Sequence, residues 1–458
     1  MDLNNIKRNQ LDYILTDMLP TELSERFTFF YFYEFLMTKR KELKQMNNFL
    51  ISVKNKYKTG VMFEGGGSGH GGHKGNNWVT MPLKYSIMKE LHTEREISLL
   101  QPIAAVELFA FVSTYQKELI NLLDMNSIFS LRHHHKNNEL CYKNKNKSIT
   151  KYFAVESAQI DKDLIEKTGM FFDIKPYKSI ASFTSSEEWL VLNSKYRYFI
   201  RTDYKACFDS IYTHTFKWLI GKDVNDTKDF KNTNIYTTID RILQNINART
   251  SNGIVVGPEF SRMIAEILLQ AIDRTVYSKL LNSGKAVGEN YNVYRFVDDI
   301  FIFAESEELA NEIVQIYSEI SAKYLLRLNE GKLYKNTVPF VLDEWINETS
   351  IFANRTSACL FRTKEEQEIW LQKEKQNSPE KEVVPHILKS RALYYSKRSI
   401  MNQLNELICE YPSKDRTIVA YFLGTILNKV SRNKENVKIF SEHVTEQTVA
   451  NFMDLIFY

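Results

Sequence analysis

Two adjacent carboxylates, Asp298 and Asp299, lie at the centre of an otherwise apolar run, residues 294–303 (YRFVDDIFIF). The aromatic and β-branched residues on either side predict two short buried strands with the acids at the turn between them. A buried charge must be paired or must coordinate a metal ion. Another strand-like run, residues 196–200, leads into a third acid, Asp203. Three converging acids suit a pair of Mg²⁺ ions about 3.5–4 Å apart, and an ordinary turn that contains both aspartates is the alternative.

A pair of Mg²⁺ ions is typical of phosphoryl transfer, in which one ion activates the attacking hydroxyl and the other neutralises charge on the leaving pyrophosphate. Between the acids lies a glycine-punctuated loop that opens a helix, residues 251–266. Gly253 and Gly257 permit close approach to the backbone. Pro258 suits a helix start and Ser261 is a candidate cap. On its own this segment also reads as a common loop-to-helix junction.

The composition bounds the class of protein. A chain of 458 residues favours two or three domains, and 43% hydrophobic with 25% charged residues is typical of a globular soluble protein. The net charge of +4 excludes a strongly basic protein, but basic residues cluster in 39–58 and 132–151, which predicts phosphate-binding patches or solvated surfaces. Four well-separated cysteines favour a reducing cytoplasm. Without a signal-peptide pattern or an apolar run of about 18–20 residues, no membrane partner is expected.

The elements that must position these residues follow from the spacing of apolar positions. Helical spacing occurs in residues 1–58, 78–123, 261–281, 306–325, 363–376, 386–410, 415–432 and 444–457. Residues 127–200 predict strands and loops. Residues 60–75 hold half of the 16 glycines, which predicts a flexible surface loop or a loop whose amides approach phosphates. We predict one domain over residues 1–345, with a helical N-terminal part at 1–125, and an all-α domain over residues 346–458.

Four motifs in order resemble motifs A to D of the reverse transcriptases. They are Asp203-x4-Phe208-Asp209, Gly253-x3-Gly257-x3-Ser261-x3-Ala265, Phe296-Val297-Asp298-Asp299, and residues 328–332 (LNEGK). The resemblance covers roughly residues 120–345. It implies an α/β fold with the fingers and palm of a right-hand polymerase, and an RNA-directed DNA polymerase (a DNA nucleotidyltransferase) as the activity.

The residues of the motifs are most similar to those of the bacterial abortive-infection and defence-associated group, the AbiK/AbiA type. The cues are residues 203–214 (DYKACFDSIYTH), residues 169–176 (GMFFDIKP), and a helical C-terminal region where a thumb would stand. That resemblance implies antiphage defence and DNA synthesis from dNTPs, primed on a tyrosine hydroxyl of the protein with little or unusual template use. It also implies a DNA product attached to the protein and a homo-oligomer, a trimer or hexamer. A noncoding RNA is an alternative partner.

The resemblance also assigns roles to individual residues. Asp203 and Asp298 would be the principal ligands of two Mg²⁺ ions, or of Mn²⁺, with Asp299 as the supporting acid. Lys332 matches the motif D lysine that protonates or stabilises pyrophosphate. The residues expected at the dNTP are Phe208 as a steric gate against a ribose 2′-hydroxyl, Gly257 in the motif B loop, and Arg132 at the triphosphate. An ordinary core phenylalanine and a solvated lysine are the alternatives for Phe208 and Lys332.

Two departures from the family pattern bear on the type of synthesis. Val255 and Val256 stand where templated reverse transcriptases usually carry Pro-Gln, and Phe296 replaces the motif C tyrosine. The missing glutamine argues against ordinary template-directed fidelity. A conventional RNA-templated reverse transcriptase and a catalytically silent nucleic-acid-binding scaffold remain the alternatives. The run His133-His134-His135 predicts a basic, nucleic-acid-facing loop rather than a metal site.

Overall fold

A computed structural model describes residues 10–20, 29–38, 79–90, 93–124, 128–136, 171–220, 234–340, 342, 344–377, 389 and 392–431. The chain divides into two compact units. The first comprises Met1–Ser86 and Glu96–Phe340, and the second comprises Ile87–Arg95 and Val341–Tyr458. The glycine-rich run and the first basic cluster lie outside the described residues. Within the described part of the chain, no helix is both long and apolar enough to cross a bilayer.

The described residues up to Pro176 form two short helices, one long helix and two strand pairs. They are α1 (Tyr13–Thr16), α2 (Phe30–Thr38), β1 (Leu83–Glu90) paired with β2 (Thr93–Leu99), α3 (Pro102–Asp124), and β3 (Arg132–His135) paired with β4 (Asp173–Pro176). The helical prediction for residues 78–123 is therefore wrong for Leu83–Glu90 and Thr93–Leu99. Leu83, Tyr85 and Ile87 follow the two-residue period of a strand. The Ser98 N–H also donates to the Val256 carbonyl (2.9 Å), a partner that local periodicity does not reveal.

The remainder of the first unit is built around one sheet. In chain order it contains α4 (Ile180–Thr184), α5 (Glu187–Lys195), β5 (Tyr198–Asp203), α6 (Cys207–Ser210), α7 (Thr215–Trp218), α8 (Ile235–Asn245), α9 (Glu259–Asn282), β6 (Tyr291–Phe296), β7 (Asp299–Ala304), α10 (Glu307–Ala322) and β8 (Tyr334–Thr337). The last four strands pair antiparallel in the order β6–β7–β5–β8. The predicted strand before Asp203 and the helices over residues 261–281 and 306–325 are confirmed. Ser261 is not the cap, because α9 already begins at Glu259 after Pro258.

Different side chains cover the two faces of this sheet. Ile300 and Ile302 of β7 belong to the main hydrophobic core together with apolar residues of α9 and α10. Phe301 and Phe303 point to the opposite face, where their ring centroids lie 6.2 and 5.3 Å from that of Trp189 on α5. Strand β7 is therefore buried on both sides, which explains its continuous apolar sequence. A strand held in this way gives the acid at its first residue a rigid base.

The second unit is helical over its described residues beyond Val341. It contains α11 (Glu344–Leu360), α12 (Lys364–Asn377), α13 (Ala392–Glu410) and α14 (Asp415–Ser431). Phe352 and Phe422 stack at its centre with ring centroids 5.1 Å apart. Three predicted helices are confirmed, and the predicted helix over residues 444–457 lies outside the described residues. The all-α domain over 346–458 therefore stays a prediction.

Candidate active site

Three aspartates meet at one end of the central sheet. Asp203, the last residue of β5, lies directly opposite Asp299, the first residue of β7. Asp298 occupies the two-residue turn between Phe296, at the end of β6, and Asp299. Opposite residues of antiparallel strands have Cα atoms about 4.5–5.5 Å apart, so strand pairing brings together acids from distant parts of the chain. The predicted turn at the Asp pair is confirmed.

The turn holds Asp298 in a strained and electrostatically unfavourable place. Val297 has a φ of +55°, a left-handed conformation that a β-branched residue rarely adopts. Burial, followed by the negative charge of Asp299, raises the pKa of the Asp298 carboxyl from 3.8 to about 6, and Asp203 acts in the same direction. Burial is thus the largest cause of the raised pKa, and Lys332 opposes the shift.

Two cationic side chains contact the other two acids. Lys332 Nζ lies 3.0 Å from Asp203 Oδ2, and Arg201 Nη2 lies 3.0 Å from Asp299 Oδ1. The Asn329 N–H donates to the Asp203 carbonyl (2.8 Å), which fastens the segment that carries Lys332 beside β5. The second carboxylate oxygen, Asp203 Oδ1, is buried and accepts no hydrogen bond. Lys332, expected at the site from the sequence, is thus brought to the aspartates.

Arg201 is a site residue that the motifs did not indicate. It precedes Asp203 by two residues on β5, so both side chains leave the strand on the same face. Strand periodicity next to a functional acid is the signal that identifies it. Its guanidinium offers both Nε and Nη2 to the same oxygen of Asp299.

The donor set fits a divalent ion such as Mg²⁺. Carboxylate oxygens are the ligands that Mg²⁺ prefers, and the unpartnered Asp203 Oδ1 and the raised pKa of Asp298 both indicate negative charge that a cation would neutralise. Among the residues that the structure describes, no three His, Cys, Asp or Glu side chains form a ready-made metal-binding group. Lys332 and Arg201 engage two of the acids instead.

The glycine loop of motif B packs against the helix that carries Phe208. The Ile254 N–H donates to the Phe208 carbonyl (2.9 Å), and the Gly253 N–H donates to the Ile211 carbonyl (2.9 Å). Gly253 has a φ of +79°, and a Cβ there would lie 3.2 Å from the Asp209 carbonyl oxygen. The partly buried Phe208 side chain packs against the main core. Motifs A and B are thus in direct contact, and Phe208 has the core contacts that its alternative interpretation requires.

Gly257 lies at a close packing contact. Its φ is +125°, and a Cβ there would approach Pro20 Cγ to 2.7 Å and Ile97 Cγ2 to 2.8 Å. These neighbours come from the N-terminal residues and from β2. The close approach expected of this glycine is therefore made to the protein itself in this structure, and its predicted contact with a dNTP stays a prediction.

Arg132 lies inside the protein rather than at its surface. Its side chain is 4% exposed and forms an ion pair with Glu259, the first residue of α9. Its guanidinium carbon lies 5.2 Å from the centroid of the Phe296 ring. The structure thus places Arg132 behind the motif C strand, paired to a carboxylate. Its contact with a triphosphate stays a prediction. Such a contact requires the guanidinium to leave Glu259 and become exposed first.

The three histidines form a strand, so the predicted loop is wrong. They belong to β3 and pair with β4, with His134 opposite Ile174. His134 is fully buried against the Phe172 ring, at 5.9 Å between ring centroids. Burial and then the charge of Arg132 lower the pKa of His134 to about 4, so it is neutral at pH 7.

Comparison with known proteins identifies the domain. Three carboxylates lie together at one end of an antiparallel sheet, and Lys332 contacts one of them. Residues 131–351 match the family model described as reverse transcriptase (RNA-dependent DNA polymerase). The chain therefore contains a reverse transcriptase domain, and RNA-directed DNA polymerisation is the activity of that family. No curated protein matches the sequence.

The chain is also similar to solved telomerase structures, at low identity. The apo telomerase of Candida tropicalis is 14% identical, with 90% of this chain and 70% of that chain covered and a TM-score of 0.33. The same telomerase with a fragment of telomeric RNA is 11% identical, with 82% and 64% covered and a TM-score of 0.32. The telomerase of Candida albicans with a fragment of telomeric RNA is 12% identical, with 61% of this chain and 50% of that chain covered and a TM-score of 0.27. The chain thus spans half the length of the Candida albicans telomerase chain.

Proposed function

We propose that this protein is a DNA polymerase that adds dNTPs by two-metal-ion chemistry, with Asp203, Asp298 and Asp299 as the ligands. The observation that carries the proposal is the pairing of Asp203 with Asp299 beside the Asp298 turn, within the matched reverse transcriptase domain. Mg²⁺ bound there would lower the pKa of the attacking hydroxyl and neutralise charge on the pyrophosphate. Mn²⁺ is an alternative ion.

The residues around the acids have distinct roles in the proposal. Arg201 and Lys332 neutralise the carboxylates before ions and substrate arrive, which limits the repulsion among three acids. Lys332 then turns from Asp203 to the pyrophosphate, where its ammonium donates a proton or a hydrogen bond to the leaving group. Its exposed side chain, 60% accessible, supports such a movement. The Phe208 ring excludes a ribose 2′-hydroxyl.

The biological setting in the proposal is bacterial antiphage defence of the AbiK/AbiA type, with a tyrosine hydroxyl of the protein as primer. The resemblance of residues 169–176 and 203–214 supports this setting. Val255 and Val256 in place of Pro-Gln support synthesis with little template use, and both are in the motif B loop. A trimer or hexamer in the cytoplasm, and a DNA product joined to the protein, belong to the same proposal.

An incorporation assay tests the polymerase itself. Purified full-length protein receives labelled dNTPs and Mg²⁺, with and without a primed RNA template, beside the Asp298→Asn variant. We expect incorporation by the wild type and a loss of about 10³-fold or more in the variant, because an essential ligand is removed. Glu319→Gln, which changes an exposed acid paired with Lys279, is the matched control and should retain activity. Equal incorporation by wild type and Asp298→Asn contradicts the role of Asp298 as a ligand, and no incorporation by either protein favours the scaffold.

A mass measurement separates the modes of priming. After incubation with dNTPs and Mg²⁺ and no added primer, DNA mass that stays on the denatured protein and disappears with nuclease supports tyrosine priming. Peptide mapping then identifies the tyrosine. Incorporation only with an added RNA template and primer supports the conventional reverse transcriptase instead. Structured RNA that copurifies with complementary DNA leads to the same conclusion.

A further inference from the structure

Arg295, which directly precedes motif C on β6, is the largest of the fully buried side chains in the described part of the protein. Its guanidinium has five N–H donors, and each of its three nitrogens donates at least one hydrogen bond. Nε donates to Asp273 (2.8 Å to Oδ2), Nη2 contacts Asp273 Oδ2 (2.7 Å) and Glu266 Oε1 (2.8 Å), and Nη1 donates to Glu266 Oε2 (3.0 Å) and to the Val297 carbonyl (2.8 Å). The two acids come from α9 and take four of these five contacts. The fifth goes to the backbone of the catalytic turn.

The two acids are themselves held by neighbouring elements. Ser130, beside β6, donates a hydrogen bond to Glu266. The Tyr317 hydroxyl of α10 donates to Asp273 Oδ1 (2.9 Å). A buried arginine is costly unless its partners satisfy it, and this network does so from three directions. The position of the guanidinium is therefore fixed by α9, α10 and the segment before β3.

The bond to the Val297 carbonyl is the link between this network and the acids. Val297 has a positive φ, which costs a β-branched residue conformational energy and persists only where surrounding contacts enforce it. Asp298 is the next residue, so the orientation of the Val297–Asp298 peptide determines where the Asp298 carboxylate projects. Arg295 contacts that peptide at its oxygen.

We propose that Arg295 is a positioning residue: through the Val297 carbonyl, it holds the turn in the conformation that lets Asp298 bind metal ions together with Asp203. The inference rests on the proposed polymerase function. A lysine at this position keeps the positive charge between Glu266 and Asp273. It has three donors on a single nitrogen and cannot reach both acids and the carbonyl at once.

The test compares Arg295→Lys with wild type in the full-length protein. If Arg295 positions the turn, kcat for dNTP incorporation falls by about 10- to 100-fold and the half-saturating Mg²⁺ concentration rises by a similar factor. The KM for dNTP stays within about twofold, since the turn and not the nucleotide pocket is changed. Rates are normalised to the folded fraction measured by circular dichroism. Lys279→Met, which breaks an exposed ion pair on α9, the helix of Glu266 and Asp273, is the control and should match wild type.

Hydrogen exchange of the amides of residues 296–300 gives a readout that needs no activity. Faster exchange of these amides in Arg295→Lys, with unchanged exchange in β5, supports the anchoring of the turn. This holds even if the wild type incorporates no dNTP, because the absence of incorporation would contradict only the proposed function. Unchanged exchange together with a wild-type Mg²⁺ dependence overturns the inference. A rate loss that vanishes after normalisation also overturns it, because the role is then structural.

A gentler variant covers the case in which Arg295→Lys does not fold. Tyr317→Phe keeps the arginine and both acids and removes only the hydrogen bond to Asp273. This variant should also raise the half-saturating Mg²⁺ concentration, by about two- to fivefold. The effect is smaller because only one hydrogen bond, from a neutral hydroxyl to a charged carboxylate remote from the turn, is lost. A Mg²⁺ dependence identical to wild type in this variant counts against the positioning role.

Discussion

Replacing Gly257 with alanine is expected to destabilise the fold before it affects nucleotide binding. At a φ of +125°, an alanine pays about 1–3 kcal/mol of backbone strain. The new Cβ would lie 2.7 Å from Pro20 Cγ and 2.8 Å from Ile97 Cγ2, and such overpacking adds about 1–3 kcal/mol. The sum is about 2–6 kcal/mol, a large part of the stability of a typical domain.

Gly288→Ala separates the two costs. Gly288 has a φ of +82° but no atom within 4 Å of the position of a Cβ, so it carries the strain without the clash. We therefore expect Gly257→Ala to lower the free energy of unfolding by about 1–3 kcal/mol more than Gly288→Ala, in urea titrations followed by circular dichroism. The folded fraction should keep a wild-type KM for dNTP. Wild-type stability with a raised KM would refute the packing argument and assign Gly257 to the nucleotide.

Three further predictions concern the site itself. Because the pKa of Asp298 is raised from 3.8 to about 6 in the folded state, its contribution to stability is full below about pH 4 and is lost as pH rises through 6, a change of about 3 kcal/mol. In EDTA, Asp298→Asn should remove this pH dependence and be the more stable protein at pH 7 in urea titrations; an unchanged profile contradicts the raised pKa. Lys332→Met should leave stability within about 0.5 kcal/mol, since the side chain is exposed, while single-turnover incorporation falls by about 10²-fold; a wild-type rate would make Lys332 a surface residue. Phe208→Ala should raise the ratio of rNTP to dNTP incorporation about tenfold, and an unchanged ratio would leave the ring a core residue only.

The central strands and the place of the acids could be predicted from the sequence because the signals there are local. Residues 294–303 are apolar on both sides of the Asp pair, and a strand buried on both faces has that composition. The run before Asp203 is equally explicit. The sequence therefore places Asp203 and Asp299 at strand ends and Asp298 in the adjoining turn, and the pairing of β5 with β7 brings them together.

The surroundings of Arg132, Gly257 and His134 could not be predicted in the same way. Each is determined by a partner far along the chain: Glu259 for Arg132, Pro20 for Gly257, and Phe172 for His134. No periodicity encodes such contacts. The strands β1 and β2 were missed for a related reason, since β2 gains a bond to the motif B loop that propensity does not describe.

The register of β5 against β7 has a consequence for how this site tolerates change. Because Asp203 faces Asp299 through strand pairing, the length of the chain between them does not enter the geometry. Insertions or deletions in the loops between these strands can accumulate without moving one acid against the other. A single residue added inside β5 or β7 would instead turn every later side chain to the opposite face. The number of residues can thus vary in the loops between these strands, whereas inside β5 and β7 it cannot change by even one residue. The ends of the strands separate the two kinds of segment.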